Sequence, residues 1–444
     1  MSAASMPTPP QPSAGGPPPR TTVSPFTRRR FLAFSGVAAA GALAAGATQV
    51  NWTDLVTAAV HTPLDPAAGV LVVVTLYGGN DGLNTVVPAG DTAYQSARSE
   101  LAYQPQDVLD LGEGLGLNPG MRGLHGLWGS KELAIVRGVG YPRADRSHFR
   151  SMAIWQTASP DTAATTGWLG RWLDATTTDP LLAVSIDSLL PPLLAGEKLA
   201  AASFPLAGLK LPADPLGQAM AMLGTPQKSD GIWQARAAKS IADLQSTARS
   251  LGPATHRPQP TPQPTPSTPD SEDDQGAKGS SAGGAGGLAA QLDLVATLVD
   301  MGVPTRVYSV SLGGFDTHSD ERGTQQGLLT ELDGALTRFH QRLQSSERGK
   351  QVVTMVYSEF GRRVTANASD GTDHGTAGPM FVLGRGVNGG FHGAEPSLTD
   401  LDSGDLRATT DFRSVYASLL DQVLGADPGR ILHGYDQRLD RLIA

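Results

Sequence analysis

An α/β fold, with a largely parallel central sheet and helices on both faces, is what this 444-residue sequence predicts. Three observations lead there. Six short runs rich in Val, Ile and Leu are almost continuously apolar, as strands buried on both faces are. Helical patterns fall between them. Glycine-bearing polar segments follow the strands, at the carboxyl ends where such sheets bind their ligands.

Taken in order, the apolar runs are residues 70–76, 133–139, 182–186, 306–312, 351–357 and 379–383. The helical patterns cover 120–129, 148–157, 232–251, 288–301, 323–344 and 411–424. Two stretches stand outside this scheme. Residues 1–27 are rich in Pro, Ser and Thr, and residues 252–287 run through Pro-Gln-Pro-Thr-Pro, Ser-Glu-Asp-Asp and Gly-Ser-Ser-Ala-Gly-Gly. Neither can bury enough apolar surface to order itself. The second is expected to be a surface insertion within one domain, residues 48–444, because chemical motifs lie on both sides of it and neither side is complete alone.

Near the N-terminus, Thr27-Arg28-Arg29-Arg30-Phe31-Leu32 precedes an Ala- and Gly-rich run that ends in Ala45-Gly46-Ala47. A basic segment, a mildly apolar stretch and a small-residue cleavage site make a secretion signal. Paired arginines followed by Phe-Leu resemble the address read by the twin-arginine translocase. The chain is therefore expected to engage that translocase, to be cut near Thr48 and to reach the periplasm or the extracellular space. The Ala-rich run is shorter and less apolar than the roughly 20 residues a span needs, so no stable membrane anchor is expected. Translocases of this kind carry folded proteins, often with a metal or cofactor already in place.

The chain has no Cys, which excludes disulfides, thiolate catalysis and lipid attachment through Cys. Any metal must be held by oxygen and imidazole ligands. Lys and Arg number 34 against 42 Asp and Glu, and removing residues 1–47, with four arginines and no acid, leaves 30 against 42. An acidic protein without a basic cluster is not expected to bind nucleic acid.

Five segments at the strand ends carry the chemistry. In Tyr77-Gly78-Gly79-Asn80-Asp81-Gly82-Leu83-Asn84 the glycines permit a tight turn, and Asp81 is either a metal ligand or part of an ordinary Asn-Asp-Gly turn. In Arg143-Ala144-Asp145-Arg146-Ser147-His148-Phe149-Arg150, Ser147 is either a helix N-cap or a nucleophile beside an anion-binding helix terminus. Arg143, Arg146, Arg150 and His148 put positive charge around that hydroxyl, and arginine there could clamp a phosphate or sulfate oxygen. Asp316 and His318, two apart after the run at 306–312, can reach one metal; the alternative is a helix cap with a solvated His. Glu359, in Ser358-Glu359-Phe360-Gly361-Arg362, emerges from its strand as Asp81 does. Asp373 and His374 lie between glycines before the run at 379–383 and form a further candidate ligand pair. His125, His340, His392 and His433 have no such setting and read as surface or satisfied core residues.

Together, the twin-arginine start, Gly78-Gly79-Asn80-Asp81-Gly82-Leu83-Asn84, Ser147-His148-Phe149, Gly314-Phe315-Asp316-Thr317-His318, Ser358-Glu359-Phe360-Gly361-Arg362, Asp373-His374-Gly375 and Thr410-Asp411-Phe412-Arg413 resemble a bacterial family of exported proteins, domain of unknown function 1501. The resemblance runs from about Gly69 to the C-terminus. That family is similar to a distant branch of the alkaline phosphatase and sulfatase superfamily, which implies an alkaline-phosphatase-like fold with one or two divalent metal ions (Zn, Mg, Mn or Ca). It implies Asp81 as the first-strand metal ligand and Ser147 as the nucleophile. Asp316 and His318 then match later Asp/His ligands, at closer spacing than usual, and His374 matches the final His ligand. Glu359 falls where an Asp-His pair is usual, with Phe360 in place of the His.

The implied activity is a metal-dependent ester hydrolase in which metal-activated Ser147 attacks and Arg146 or Arg150 stabilises charge on the equatorial oxygens. Without Cys there is no Cys-derived formylglycine, and Ser147-His148-Phe149-Arg150 does not look like a sulfatase signature, so phosphoester ranks above sulfate ester. The competing expectation is a non-catalytic exported binding or assembly protein on the same fold. The resemblance implies an exported protein partner under either reading.

Overall fold

The computed structural model describes residues 52–187, 190–204, 206 and 287–444. The expected signal segment, the helix expected at 232–251 and all of the low-complexity stretch 252–287 but its last residue lie outside them. That last residue, Gly287, opens a helix.

Among the described residues, eleven strands matter for the site: β1 Val70–Leu76, β2 Leu133–Gly140, β3 Ala183–Ser185, β4 Ala202–Ser203, β5 Val307–Leu312, β6 Val352–Ser358, β7 Arg362–Ala366, β8 Thr372–His374, β9 Gly378–Leu383, β10 Gly390–His392 and β11 Thr410–Asp411. Nine of them make one sheet, in the order β10-β2-β9-β6-β1-β5-β3-β4 with β11 also on β2. Strand β1 lies between β5 and β6, parallel to both, with Leu71 opposite Val307 and Val70 opposite Val352. All seven residues of β1 are buried, which is why its sequence does not alternate. Strand β9 is antiparallel to both β6 and β2. The expected α/β class and largely parallel sheet are what the fold shows.

The reversal of β9 has a consequence for the site. A strand that runs backwards begins at the edge where its neighbours end. Residues just before β9 therefore join residues just after β1, β2, β5 and β6. Strands β7 and β8 form a small antiparallel hairpin between β6 and β9, pairing Arg362 with His374.

Helices cover both faces. We label α1 Trp52–His61, α2 Thr92–Arg98, α3 Arg122–Gly129, α4 His148–Thr157, α5 Trp168–Thr176, α6 Gly287–Met301, α7 Glu321–Leu343 and α8 Phe412–Gln422. Val70, Val72 and Val74 of β1 pack with Leu124 of α3, Leu292 of α6 and Leu332 of α7. Leu71 and Val73 point the other way, into a cluster with Trp155 of α4, Trp168 of α5 and Tyr416 of α8. That alternation is the two-residue period of a strand. No described helix is long and apolar enough to cross a membrane.

Candidate metal centre

Strand β2 ends at Gly140, and the chain turns through Tyr141–Ser147 into α4. The Asp145 carboxylate accepts the Ser147 backbone N–H at 2.9 Å, and the Tyr141 hydroxyl donates to Ser151 Oγ at 2.8 Å. Ser151 in turn donates to the Glu359 carbonyl just beyond β6. These bonds set the first residue of α4, His148, against the end of β6. Ser147 occupies the N-cap position, but its side chain makes no capping bond; it is exposed, one residue before His148.

His148 Nδ1 lies 2.8 Å from Glu359 Oε1. His374 Nδ1 lies 2.9 Å from the Arg146 carbonyl. A carboxylate and a carbonyl can only accept, so both Nδ1 atoms must carry hydrogens. The Nε2 atoms are then directed at each other, 3.0 Å apart. His318 Nε2 lies 3.0 Å from His374 Nε2 and 3.0 Å from Asp316 Oδ1. His374 Nε2 lies 3.2 Å from that same oxygen, and His148 Nε2 is 3.5 Å from Asp316 Oδ2. Neutral imidazoles so arranged turn lone pairs toward a common point, a repulsive arrangement that a proton or a metal ion relieves. Ligand atoms of His148, Asp316 and His374 all lie within 4.8 Å of one another, so the three could hold a metal.

Charge follows the same geometry. Burial alone would lower the His148 pKa, but hydrogen bonds and charge from Asp316 and Glu359 outweigh it and push it up to about 9. Burial would raise the Asp316 pKa; bonds from His148, His318, His374 and Arg362 instead hold it well below the usual carboxylate range. Arg362 is fully buried. It donates to the carbonyls of Gly79 at 2.7 Å and Thr372 at 2.8 Å, and to Asp316 Oδ1 at 2.6 Å. One side chain thus pins the loops after β1 and β5 to the hairpin. Gly78, at φ +116°, is required there, because a Cβ would lie 2.4 Å from the Asp316 nitrogen.

The structure brings together three of the expected metal-site residues and sorts the others differently. Asp316, His318 and His374 meet. Asp81 does not join them: it is fully buried in an ion pair with Arg98 of α2, whose second nitrogen lies 2.9 Å from Asp81 Oδ1, and it caps a short turn by accepting from Leu83 N–H. Glu359, 2% exposed, is not aimed at the common point either. It accepts from His148, from Gly78 N–H at 2.9 Å and from the Ser358 hydroxyl at 3.0 Å. A carboxylate behind a metal-binding His fixes ring orientation and raises basicity. Asp373 stands in the same relation to His318, 3.5 Å from its Nδ1, but is exposed. Arg146 and Arg150 are drawn into ion pairs. Arg146 pairs with the buried Asp405, and Arg150 with Asp145 at 3.2 Å, while Arg143 pairs with Asp161 at 2.9 Å. The missed residues are His148 and Arg362. His148 had the signal that marked the others, a metal-binding side chain just past a strand end, but its three arginine neighbours made it read as part of a charge patch.

Phe360 supplies the wall of the cluster, its ring centroid 4.9 Å from those of both His148 and His374. Of the four histidines set aside, His340 meets Glu132 at 2.9 Å, while His125 and His392 meet backbone carbonyls.

Fold and site together define an α/β protein with an imidazole–carboxylate cluster at the carboxyl edge of its sheet. The chain belongs to the DUF1501 family, "Protein of unknown function", whose profile matches residues 125–443. A solved 2-O GAG sulfatase aligns with 10% identity and a TM-score of 0.31, over 84% of this chain and 76% of that one. Comparison with curated proteins returns no match.

Proposed function

We propose that this protein is an exported hydrolase of phosphate or sulfate monoesters, using one divalent metal held by His148, Asp316 and His374 with His318 at the open rim. The observation that carries this is the convergence of imidazole Nε2 atoms on Asp316, at 3.0 Å between neighbouring rings, with the Nδ1 atoms of His148 and His374 committed to acceptors. Such a donor set suits zinc better than magnesium, calcium or manganese, which prefer oxygen. One ion fits better than two, because Asp81 is neutralised by Arg98 and a phenyl ring follows Glu359. A bound ion supplies Lewis-acid polarisation of the ester.

The chain's own groups do the rest. Glu359 and the Arg146 carbonyl fix the ring tautomers, and Arg362 holds Asp316 in place. Ser147 presents its hydroxyl at the N-terminus of α4, where the helix favours an anion. As nucleophile, its oxygen bonds to phosphorus while the bond to the departing alkoxide breaks; its proton passes to solvent, from which the alkoxide takes one up, and water then attacks phosphorus to release phosphate and restore the Ser147 hydroxyl. Phosphoester ranks above sulfate ester because the residues after Ser147 do not resemble a sulfatase signature. The export assignment rests on the twin-arginine segment at Arg28–Arg30.

A second reading, a non-catalytic exported binding protein on the same fold, draws support from the ion pairs of Arg143, Arg146 and Arg150, which already occupy three cations near Ser147. Metal content by elemental mass spectrometry on natively exported protein separates the two. Stoichiometric metal in wild type, lost in His374→Ala, is expected; phosphoester and sulfate-ester screens with Ser147→Ala as control then follow. Metal-free wild type, purified without chelators, would sink the hydrolase mechanism.

A further inference from the structure

Beside the histidine cluster lies a cavity of about 290 Å³ that reaches His148. It sits between the sheet and α4, and its two walls differ. One wall is apolar. Phe149, Met152 and Ala153 come from one face of α4, at the spacing of helical neighbours, and Leu190 and Pro192 continue it. Phe149 is 56% exposed, one of only two large apolar side chains so exposed among the described residues.

The other wall is a row of hydroxyls. Ser309 and Ser311 stand two apart on β5 and so share a face of the sheet. Ser185 of β3 lies opposite Ser309 in the ladder. All three line the cavity, and strand geometry spaces such neighbours roughly 5–7 Å apart. No partner among the described residues engages these hydroxyls, and each stays open to the cavity. The rest of the polar lining is committed. Gln291 exchanges two hydrogen bonds with the Ser311 backbone. Glu359 holds His148 and the Gly78 N–H, Gln156 bonds to Tyr77, and Asp187 is engaged as well.

These two walls select a ligand. A serine hydroxyl both donates and accepts, so three in a row match a group that offers several hydroxyls along one side. The facing wall offers contact with C–H surface and nothing else. A saturated ring with hydroxyls round its edge and C–H bonds on its face meets both. An aryl or alkyl group of the same size would displace water from the serines and leave them unpaired. The volume agrees, since roughly 150 Å³ holds a benzene ring and about twice that takes one six-membered ring with its substituents.

We propose that this cavity binds a polyhydroxylated ring, a pyranose or cyclitol, with Ser185, Ser309 and Ser311 pairing with its hydroxyls and Phe149 covering its C–H face. On the hydrolase reading above, on which this second step rests, the ring is the alcohol portion of the ester.

The test is ligand-observed NMR on the natively exported protein. The probes are the methyl glycosides of glucose, galactose and mannose and myo-inositol, beside cyclohexanol, a six-membered ring with a single hydroxyl. At least one polyol is expected to bind tenfold or more tightly than cyclohexanol. Replacing both serines of β5, Ser309→Ala with Ser311→Ala, should weaken that polyol at least tenfold and leave cyclohexanol within twofold. Phe149→Ala, at an exposed position that the fold does not depend on, should weaken it at least threefold, and thermal unfolding checks both variants. Binding of none of the four polyols, cyclohexanol binding as tightly as the best of them, or undiminished polyol binding by either folded variant would overturn the assignment. These outcomes do not depend on turnover. Polyol binding as expected, with no hydrolysis of that polyol's phosphate or sulfate monoesters, would strike the hydrolase reading and leave the cavity's ligand class standing.

Discussion

Asp81 and Arg98 lie fully buried and neutralise one another beside the buried Glu321, whereas His148, Asp316, His374 and His318, beyond the same edge of the sheet, are partly open and turn ring nitrogens toward each other. In the first group a guanidinium supplies the cation. Arg98 binds both oxygens of Asp81 and donates to the Arg363 and Val364 carbonyls. Glu321 accepts from the Thr372 hydroxyl at 2.5 Å, and its other oxygen has no hydrogen-bond partner. Burial, reinforced by the charge of Asp81, pushes the Glu321 pKa up to about 9, so it remains a neutral acid at pH 7. The second group has three imidazoles whose Nε2 atoms gather on Asp316, at 3.0 Å between neighbouring rings. Acidic residues past a strand end are thus ambiguous. One set is closed by an internal cation, and the other has a geometry that could hold one.

The largest test of that contrast is Arg98→Ala. Leaving Asp81 buried without its partner should destabilise the protein by about 3–5 kcal/mol, read by urea denaturation, while the folded fraction keeps its metal. Unchanged stability, or loss of metal with the fold intact, would break the distinction between the two clusters. Next in size is Glu359→Gln. The amide preserves shape but weakens the hold on His148 Nδ1, and metal affinity should drop about 10–100-fold in a chelator competition, with stability little altered. An undiminished affinity would remove Glu359 from behind the site.

The last is Glu321→Gln. A carboxyl raised in the folded state from its ordinary value near 4.5 to about 9 gives its full contribution below pH 4.5 and loses it as pH climbs toward 9. Wild type should therefore lose stability across that range, by at most roughly 1.4 kcal/mol per pH unit from this group. Glu321→Gln should flatten the alkaline side of the profile without touching metal content. A profile identical to wild type would mean that Glu321 is not protonated in the fold.

Much of the scaffold was legible. The run at 70–76 is β1 to the residue, and α4 spans the expected 148–157. Strands buried on both faces announce themselves, since every position is apolar, and helix starts follow from caps such as Asp411, which accepts from Arg413 N–H at 2.9 Å. Legibility fell in the site. Asp81 and Asp316 look alike in sequence, each at a glycine-rich strand end. What separates them is Arg98, folded onto the first, and three imidazoles gathered on the second. The arginines around Ser147 looked available because Asp405, the partner of Arg146, lies 259 residues away.

By itself, then, the sequence determined the α/β class, the placement of the strands and the set of polar loops at one edge of the sheet, because hydrophobic periodicity and turn chemistry act over a few residues. The tertiary structure alone decided which carboxylates meet a guanidinium and which meet imidazoles, that His148 belongs with His374, and that a cavity opens beside them. Charge pairing and lone-pair convergence act through space, between groups such as His148 and Glu359 that stand 211 residues apart in the chain and 2.8 Å apart in the fold.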